Sequence, residues 1–223
     1  MTEAAVNGRT GVPVPPPCAR DAWSGRAKRT FDLVLCLMLC LPIALLVAAL
    51  FLLARLDGGP GFFGHRRVGR DGREFVCWKI RTMVPDAEAR LTDYLAENPD
   101  ARMEWARDFK LTDDPRVTRI GRVLRETSLD ELPQIWNVLR GDMSFVGPRP
   151  VTAAELDRYR GCEACYLSHR PGMTGLWQIS GRNDLDYGSR IRLDMEYSHS
   201  HGLVQDVRII LRTCGAVLAR TGR

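Results

Sequence analysis

Asp130 and Glu131 are adjacent acids in the run Arg125-Glu-Thr-Ser-Leu-Asp-Glu-Leu-Pro-Gln134. An ionised aspartate is a competent nucleophile towards phosphorus, and a neighbouring glutamate suits Mg²⁺, a hard cation that takes oxygen ligands. Pro133 is tolerated only in the first turn of a helix, so a helix is expected to start at about Ser128 to Asp130. That start places both acids at a helix N-terminus, where the dipole and free N–H groups favour anions. The same residues also spell a purely structural motif. Ser128-x-x-Glu131 matches a capping box, with Asp130 complementing the dipole. Taken alone, capping is the plainer account, and it is the neighbouring cations that turn the balance towards chemistry.

Arg149 lies in Val146-Gly-Pro-Arg-Pro150, a stiff turn that aims a guanidinium fork in one direction, as suits a diphosphate or nucleotide. Lys79-Ile-Arg81 ends a predicted strand and offers two more cations, and Arg125 stands close to the acid pair in sequence. Lysine is scarce: Lys28, Lys79 and Lys110 are the only three among 32 basic residues. Such a bias suggests that lysine is kept where a compact ammonium is wanted. Carboxylates and fixed cations together suit phosphoryl transfer, in which positioning and charge stabilisation do most of the catalysis. An aspartyl-phosphosugar intermediate would let a nucleotide leave before the acceptor arrives. There is no glycine-rich Walker loop and no dinucleotide-binding fingerprint.

Of the elements that must position these groups, the clearest is an uncharged block at residues 33–54. As a straight helix it reaches about 33 Å, enough to cross a bilayer, and it has no polar stripe for a water-facing side. Basic residues flank both ends: Arg20, Arg26, Lys28 and Arg29 before it, and Arg55, Arg66, Arg67, Arg70 and Arg73 after it. Charge therefore favours neither end as the cytoplasmic one. Pro42 near the middle removes a helix hydrogen bond and bends the axis. These features favour a helix that enters and leaves on one side, with a spanning helix as the alternative.

The 223-residue chain has room for one medium domain beyond this block. Residues 1–27, with a Val-Pro-Val-Pro-Pro-Pro run, read as a disordered leader, 28–56 as the membrane helix and 57–223 as a soluble domain. Within that domain Gly58-Gly59-Pro60-Gly61 reads as a turn and Glu74 to Ile80 as a strand. Residues 86–109 read as one helix or two, broken near Asn98-Pro99. Leu203, Val207, Ile210, Leu211, Cys214 and Leu218 share one face of a C-terminal helix. Packing of that face against the domain is the commoner arrangement, and rest on a membrane surface the rarer one.

The net charge of +5 and pI near 9.0 call for an anionic partner, without choosing among lipid, nucleotide and nucleic acid. Seven cysteines, two of them inside the apolar block, argue against an extracellular disulfide framework. Cys162-Glu-Ala-Cys165 has metal or redox spacing, but no second pair completes a zinc site, and a reduced loop pair is the plainer reading.

The motifs taken together resemble the monotopic phosphoglycosyl transferases, bacterial sugar transferases that start the assembly of exopolysaccharide and O-antigen-type glycans. The resemblance runs from Lys28 to about Leu218. It rests on Lys28-Arg-Thr-Phe-Asp32, Arg67-Val-Gly-Arg-Asp-Gly72, Trp78-Lys-Ile-Arg-Thr-Met83, Thr127-Ser-Leu-Asp-Glu-Leu-Pro-Gln134, Gly141-Asp-Met-Ser-Phe-Val-Gly-Pro-Arg-Pro150 and Arg170-Pro-Gly-Met-Thr-Gly175. It implies an α/β, mostly helical fold. A re-entrant membrane helix broken at Pro42 would anchor a compact cytoplasmic catalytic domain with amphipathic helices and a small sheet. It implies Asp130 as nucleophile, Glu131 as Mg²⁺ ligand, and Lys79, Arg81, Arg125 and Arg149 as phosphate or nucleotide contacts. Gly175-Leu-Trp-Gln-Ile-Ser-Gly-Arg-Asn-Asp184 and Asp108-Phe-Lys-Leu-Thr-Asp-Asp-Pro-Arg116 look most like undecaprenyl-phosphate galactose phosphotransferases, so UDP-galactose is the first expected donor and UDP-glucose the second. The implied partners are a UDP-sugar, undecaprenyl phosphate and membrane lipids at the bacterial inner membrane, with no nucleic acid and with room for a homo-oligomer. Larger members often carry an N-terminal bundle of membrane helices that this sequence lacks. Two competing readings remain: a membrane-anchored hydrolase of nucleotide sugars using the same acids, and a single-span protein with a basic nucleic-acid-binding domain.

Overall fold

The computed structural model describes residues 23, 25–56, 58–108, 111–181 and 185–218. Most of the predicted leader, Lys110, the 182–184 segment and the side chain of Leu218 lie outside them.

The apolar block forms α1 (Arg26–Arg55), a single helix of 30 residues with Pro42 inside it. The expected break at Pro42 thus takes the form of a proline within an unbroken helix, where the missing N–H leaves the Met38 carbonyl without its usual partner. Both ends of α1 are packed on the rest of the chain. At the first end Arg29 donates to the Val138 and Leu139 carbonyls (2.5 and 2.8 Å). Asp32 accepts from the Ser144 hydroxyl and the Phe145 amide. Lys28 pairs with Asp206 at 2.5 Å, an ion pair almost closed to solvent. At the second end Leu50 and Ala54 are buried with Ile80 and Leu124. Between these ends the helix is bare: Leu37, Met38, Leu41 and Leu45 are each about seven-tenths exposed.

Strands β1 (Phe62–Val68) and β2 (Glu74–Ile80) form an antiparallel ribbon after the 58–61 turn, with β2 where the sequence placed it. The other edge of β2 is closed by Asn137, whose side chain accepts from the Trp78 amide and donates to the Val76 carbonyl. α2 (Ala87–Glu97) and α3 (Pro99–Asp108) realise the predicted break at Asn98-Pro99, with Pro99 opening the second helix. α4 (Arg119–Thr127), α5 (Gln134–Arg140), α6 (Ala153–Leu156), α7 (Glu163–Leu167), α8 (Leu176–Ile179), α9 (Tyr187–Ser200) and α10 (Leu203–Leu218) follow. Short strands β3 (Ser144–Val146) and β4 (Gly172–Thr174) pair in parallel. One apolar core joins Cys36 of α1, Phe75 and Cys77 of β2, Val138 of α5, Phe145 and Val146 of β3 and Ile209 of α10.

α10 corrects an expectation. Ile210 of the predicted face packs on the core, but Leu203, Val207 and Leu211 face outward together with Val204, which is 83% exposed. The buried side is set instead by Ile209 and by Asp206, whose carboxylate accepts from Trp23, Lys28 and Tyr197. A buried carboxylate needs such donors, and removing one partner of a buried pair costs about 3–5 kcal/mol. That requirement orients the helix against its apolar stripe. The reduced pair is also corrected: Cys162 is a free thiol, whereas Cys165 is disulfide-bonded, so the two do not bridge each other and only one of them is reduced.

Candidate active site

The acid pair sits between two helices. α4 ends where Ser128 takes a left-handed conformation (φ 58°), and its N–H bonds back to the Arg125 and Leu124 carbonyls. Leu129–Glu131 make one 3₁₀ turn, and α5 starts only after Pro133. The expected capping box at Ser128 is therefore absent, and the predicted helix start moves to Gln134. Ser128 closes one helix rather than opening the next. A capping box does form at Thr152 and Glu155.

The turn presents Asp130 almost buried and Glu131 with 40% of its side chain open. Lys79, from β2, donates to Glu131 Oε1 at 2.6 Å and lies 3.9 Å from Asp130 Oδ2. Burial pushes the Asp130 carboxyl up to about 6. Lys79 opposes that rise, the Glu131 charge adds to it, and Arg125 opposes it further. The Lys79 ammonium is disfavoured by burial, but Glu131 and then Asp130 outweigh this and hold it above the ordinary lysine range. Both described lysines are thus matched to carboxylates, Lys28 for structure and Lys79 at the acid pair.

Arg125 is set by a close helix approach. A Cβ at Gly121 would stand 2.0 Å from the Thr82 carbonyl oxygen, so only glycine lets α4 lie on the chain leaving β2. One turn later Arg125 Nε donates to the Thr82 hydroxyl at 2.9 Å, and its charge helps hold Asp130 ionised. Arg81 departs from its expected role. Its guanidinium is buried and donates to the carbonyls of Pro60, Met83 and Ala54 at 2.6–2.8 Å. With three backbone acceptors engaged, it clamps the end of α1 to the turn and is not presented to an anion.

Arg149 stands at the other end of the ribbon. Its turn is fused to β4: Gly147 and Gly172 donate to the Thr174 and Pro148 carbonyls, and a Cβ at Gly147 would lie 2.4 Å from the Arg170 oxygen. Asp194 of α9 accepts from the Arg149 amide (3.4 Å) and from the Tyr159 hydroxyl (2.8 Å). Arg149 lies over the Trp177 ring, 5.1 Å from its centroid, in cation–π contact. Thr82 and Trp177 stand inside motifs legible in the sequence, but their roles, like Asp194 itself, were not, because each is far along the chain from the residue it supports. Among the described residues no three His, Cys, Asp or Glu side chains converge as a metal cluster. Two adjacent carboxylates nevertheless fit Mg²⁺, which commonly takes one or two carboxylates and completes its shell with water and substrate phosphate.

The bacterial sugar transferase family model matches residues 23–220, nearly the whole chain. The chain belongs to the bacterial sugar transferase family. It is 53% identical over 196 residues to a UDP-galactose-lipid carrier transferase of Erwinia amylovora, covering 87% of this chain and 41% of that protein. It is 50% identical over 195 residues to an undecaprenyl-phosphate galactose phosphotransferase of Salmonella typhimurium, with the same coverage. The chain thus spans about two-fifths of these relatives. The exopolysaccharide production protein ExoY of Rhizobium meliloti is 47% identical over 201 residues, 89% of this chain and 88% of that protein. As a member of this sugar transferase family, the chain combines one long apolar helix with a mostly helical domain and small sheets.

Proposed function

We propose that the chain transfers a hexose-1-phosphate from a UDP-sugar to undecaprenyl phosphate, opening a glycan of the exopolysaccharide or O-antigen type. The observation that carries this reading is geometric: Asp130 lies 3.9 Å from the Lys79 ammonium, beside the half-open Glu131 that the same lysine holds at 2.6 Å. With its carboxyl raised only to about 6, Asp130 is ionised at neutral pH, and it is poorly solvated and close to cations, as a nucleophile needs to be. Its carboxylate attacks the sugar-bearing phosphorus. An Asp130–phosphorus bond forms, the phosphoanhydride bond breaks, and UMP leaves with the electron pair. The phosphate oxygen of the lipid then attacks the same phosphorus and releases the aspartate. One phosphoanhydride replaces another, so no proton or external energy is consumed. Lys79 and Arg125 stabilise charge around the transferring group, and Arg149 binds the nucleotide side. Mg²⁺, held by Glu131 beside Asp130, would neutralise phosphate charge when bound. Galactose is the first donor to test, because two relatives at 50–53% identity are named for its transfer to a lipid carrier, with glucose second.

The setting is the cytoplasmic face of the inner membrane. A helix that crossed a hydrocarbon core of about 30 Å would carry one end away from the domain. Here both ends of α1 are packed on one domain while the middle is exposed and apolar, which supports a re-entrant anchor. Incubation with a panel of UDP-sugars and undecaprenyl phosphate, following UMP and lipid product, tests the reaction. UMP and lipid-linked sugar phosphate should form in equal amounts; sustained turnover without the lipid phosphate would make the protein a hydrolase.

A further inference from the structure

The Arg67-Val-Gly-Arg-Asp-Gly72 motif and the outer strand β1 have no part in the chemistry above. The ribbon register sets Phe63 opposite Lys79, His65 opposite Cys77 and Arg67 opposite Phe75. Facing residues of an antiparallel pair share a face, so His65 and Arg67 stand on the side that carries Lys79. Lys79 reaches the acid pair at one end of this face. At the other end Arg67 donates to Glu155 Oε2 at 2.7 Å, and Glu155 also feels the charge of Arg149. Cys77 lies between: burial pushes its thiol up to about 11, with Lys79, Arg67 and Arg149 pulling down and Glu131 pushing up, so both ends are within electrostatic reach. Cys77 and Phe75 turn into the core on this face, so the open path runs along β1, over the exposed Phe63 and His65 to Arg67. That stretch advances about 13 Å, a span that a phosphoanhydride and a ribose can bridge.

The polar groups at the far end have a definite inventory. Arg149 is held by Trp177 and presents a phosphate-binding fork. Glu155 Oε2 accepts from Arg67 and from the Thr152 amide, while among the described residues Oε1 accepts from none. His65 Nδ1 lies 3.1 Å from Arg67 Nη2, and a guanidinium only donates, so Nδ1 accepts and Nε2 carries the proton. Burial and then Arg67 lower the His65 pKa, which keeps the ring neutral at physiological pH. A cationic fork, a carboxylate oxygen and a neutral imidazole donor are what a phosphate, a pair of ribose hydroxyls and a base carbonyl require.

We propose that the Arg67–Glu155 end of the ribbon, with His65 and Arg149, binds the nucleoside monophosphate half of the donor, so that the sugar-bearing phosphorus falls at Asp130. This rests on the nucleotide-sugar reading and adds the ligand's orientation. Arg149 takes the phosphate that leaves with the nucleoside, Glu155 Oε1 accepts from the ribose hydroxyls, and His65 donates to the base. Calorimetric binding of UMP and 2′-deoxy-UMP to the full chain in detergent tests it. Native protein should bind UMP about 10-fold more tightly than the deoxynucleotide, because the lost hydroxyl leaves Glu155 unmatched. Glu155→Gln should shrink that ratio to about 3 or less, and His65→Ala, at an exposed position, should weaken UMP about 5-fold with an unchanged melting temperature. Equal binding of the two nucleotides, or UMP affinity within twofold of native in both variants, would overturn the proposed orientation alone. A native protein that binds no UMP would overturn both the orientation and the nucleotide-sugar reading.

Discussion

Asp130 and Asp194 are both buried acids whose carboxyls burial raises, to about 6 and about 7 respectively, yet their surroundings are opposite. Asp130 rides on a three-residue turn beside the half-open Glu131 and within 4 Å of a lysine ammonium. Asp194 lies inside α9, wrapped by Tyr159 and the Arg149 amide. A shifted pKa is thus no mark of a nucleophile. What separates the two is their neighbours: Asp130 has a lysine and a half-open glutamate beside it, and Asp194 spends its hydrogen bonds holding the loop that carries Arg149.

The sharpest break in this comparison is Asp130→Asn, which should lower turnover about 10⁴-fold or more while the protein still folds and inserts. Circular dichroism and UMP release measure the two sides of that statement, and near-native turnover would remove Asp130 from the nucleophile role. Lys79→Met should cost about 10²-fold. It should also move the acidic limb of the pH–rate profile above about 6, since Lys79 is the largest influence holding the Asp130 pKa down. A limb that stays in place would mean that another group titrates.

Asp194→Asn should raise the donor KM several-fold with a smaller change in kcat, because it loosens the Arg149 turn rather than the chemistry. Its stability signature has a definite sign. A carboxyl raised on folding contributes stability that is full below its unfolded value near 4 and is lost as pH rises through about 7. Native protein should therefore lose stability relative to Asp194→Asn between pH 4 and 7, as read from paired melting curves; parallel curves would place Asp194 in an ordinary environment. The smallest effect is expected at the surface. Val204→Asp with Leu211→Asp should reduce vesicle binding a few-fold while detergent activity is retained, if the outward stripe of α10 lies on lipid beside α1.

Much of this was legible in the sequence where local rules dominate. β2 follows its strand pattern from Glu74 to Ile80, and Pro99 opens a helix because its missing N–H costs nothing at a first position. The acid pair and its lysine were legible as residue types with a shared chemistry. Failures came where a distant partner overrode a local preference. Ser128 is drawn into closing α4, so its capping signature has no helix to cap. Arg81 is consumed by three carbonyls, one of them on α1, which no local window contains. The period of α10 was correct, but Lys28, Trp23 and Tyr197 around Asp206 decide which side is buried.

A covalent bond to Asp130 is best sought by mass spectrometry of the protein incubated with UDP-galactose and Mg²⁺, without lipid phosphate. The expected result is a stoichiometric burst of UMP with a hexose-phosphate adduct on the peptide containing Asp130, absent in Asp130→Asn and discharged by undecaprenyl phosphate. A burst and adduct that persist in Asp130→Asn, or an adduct on any other residue, would contradict the account.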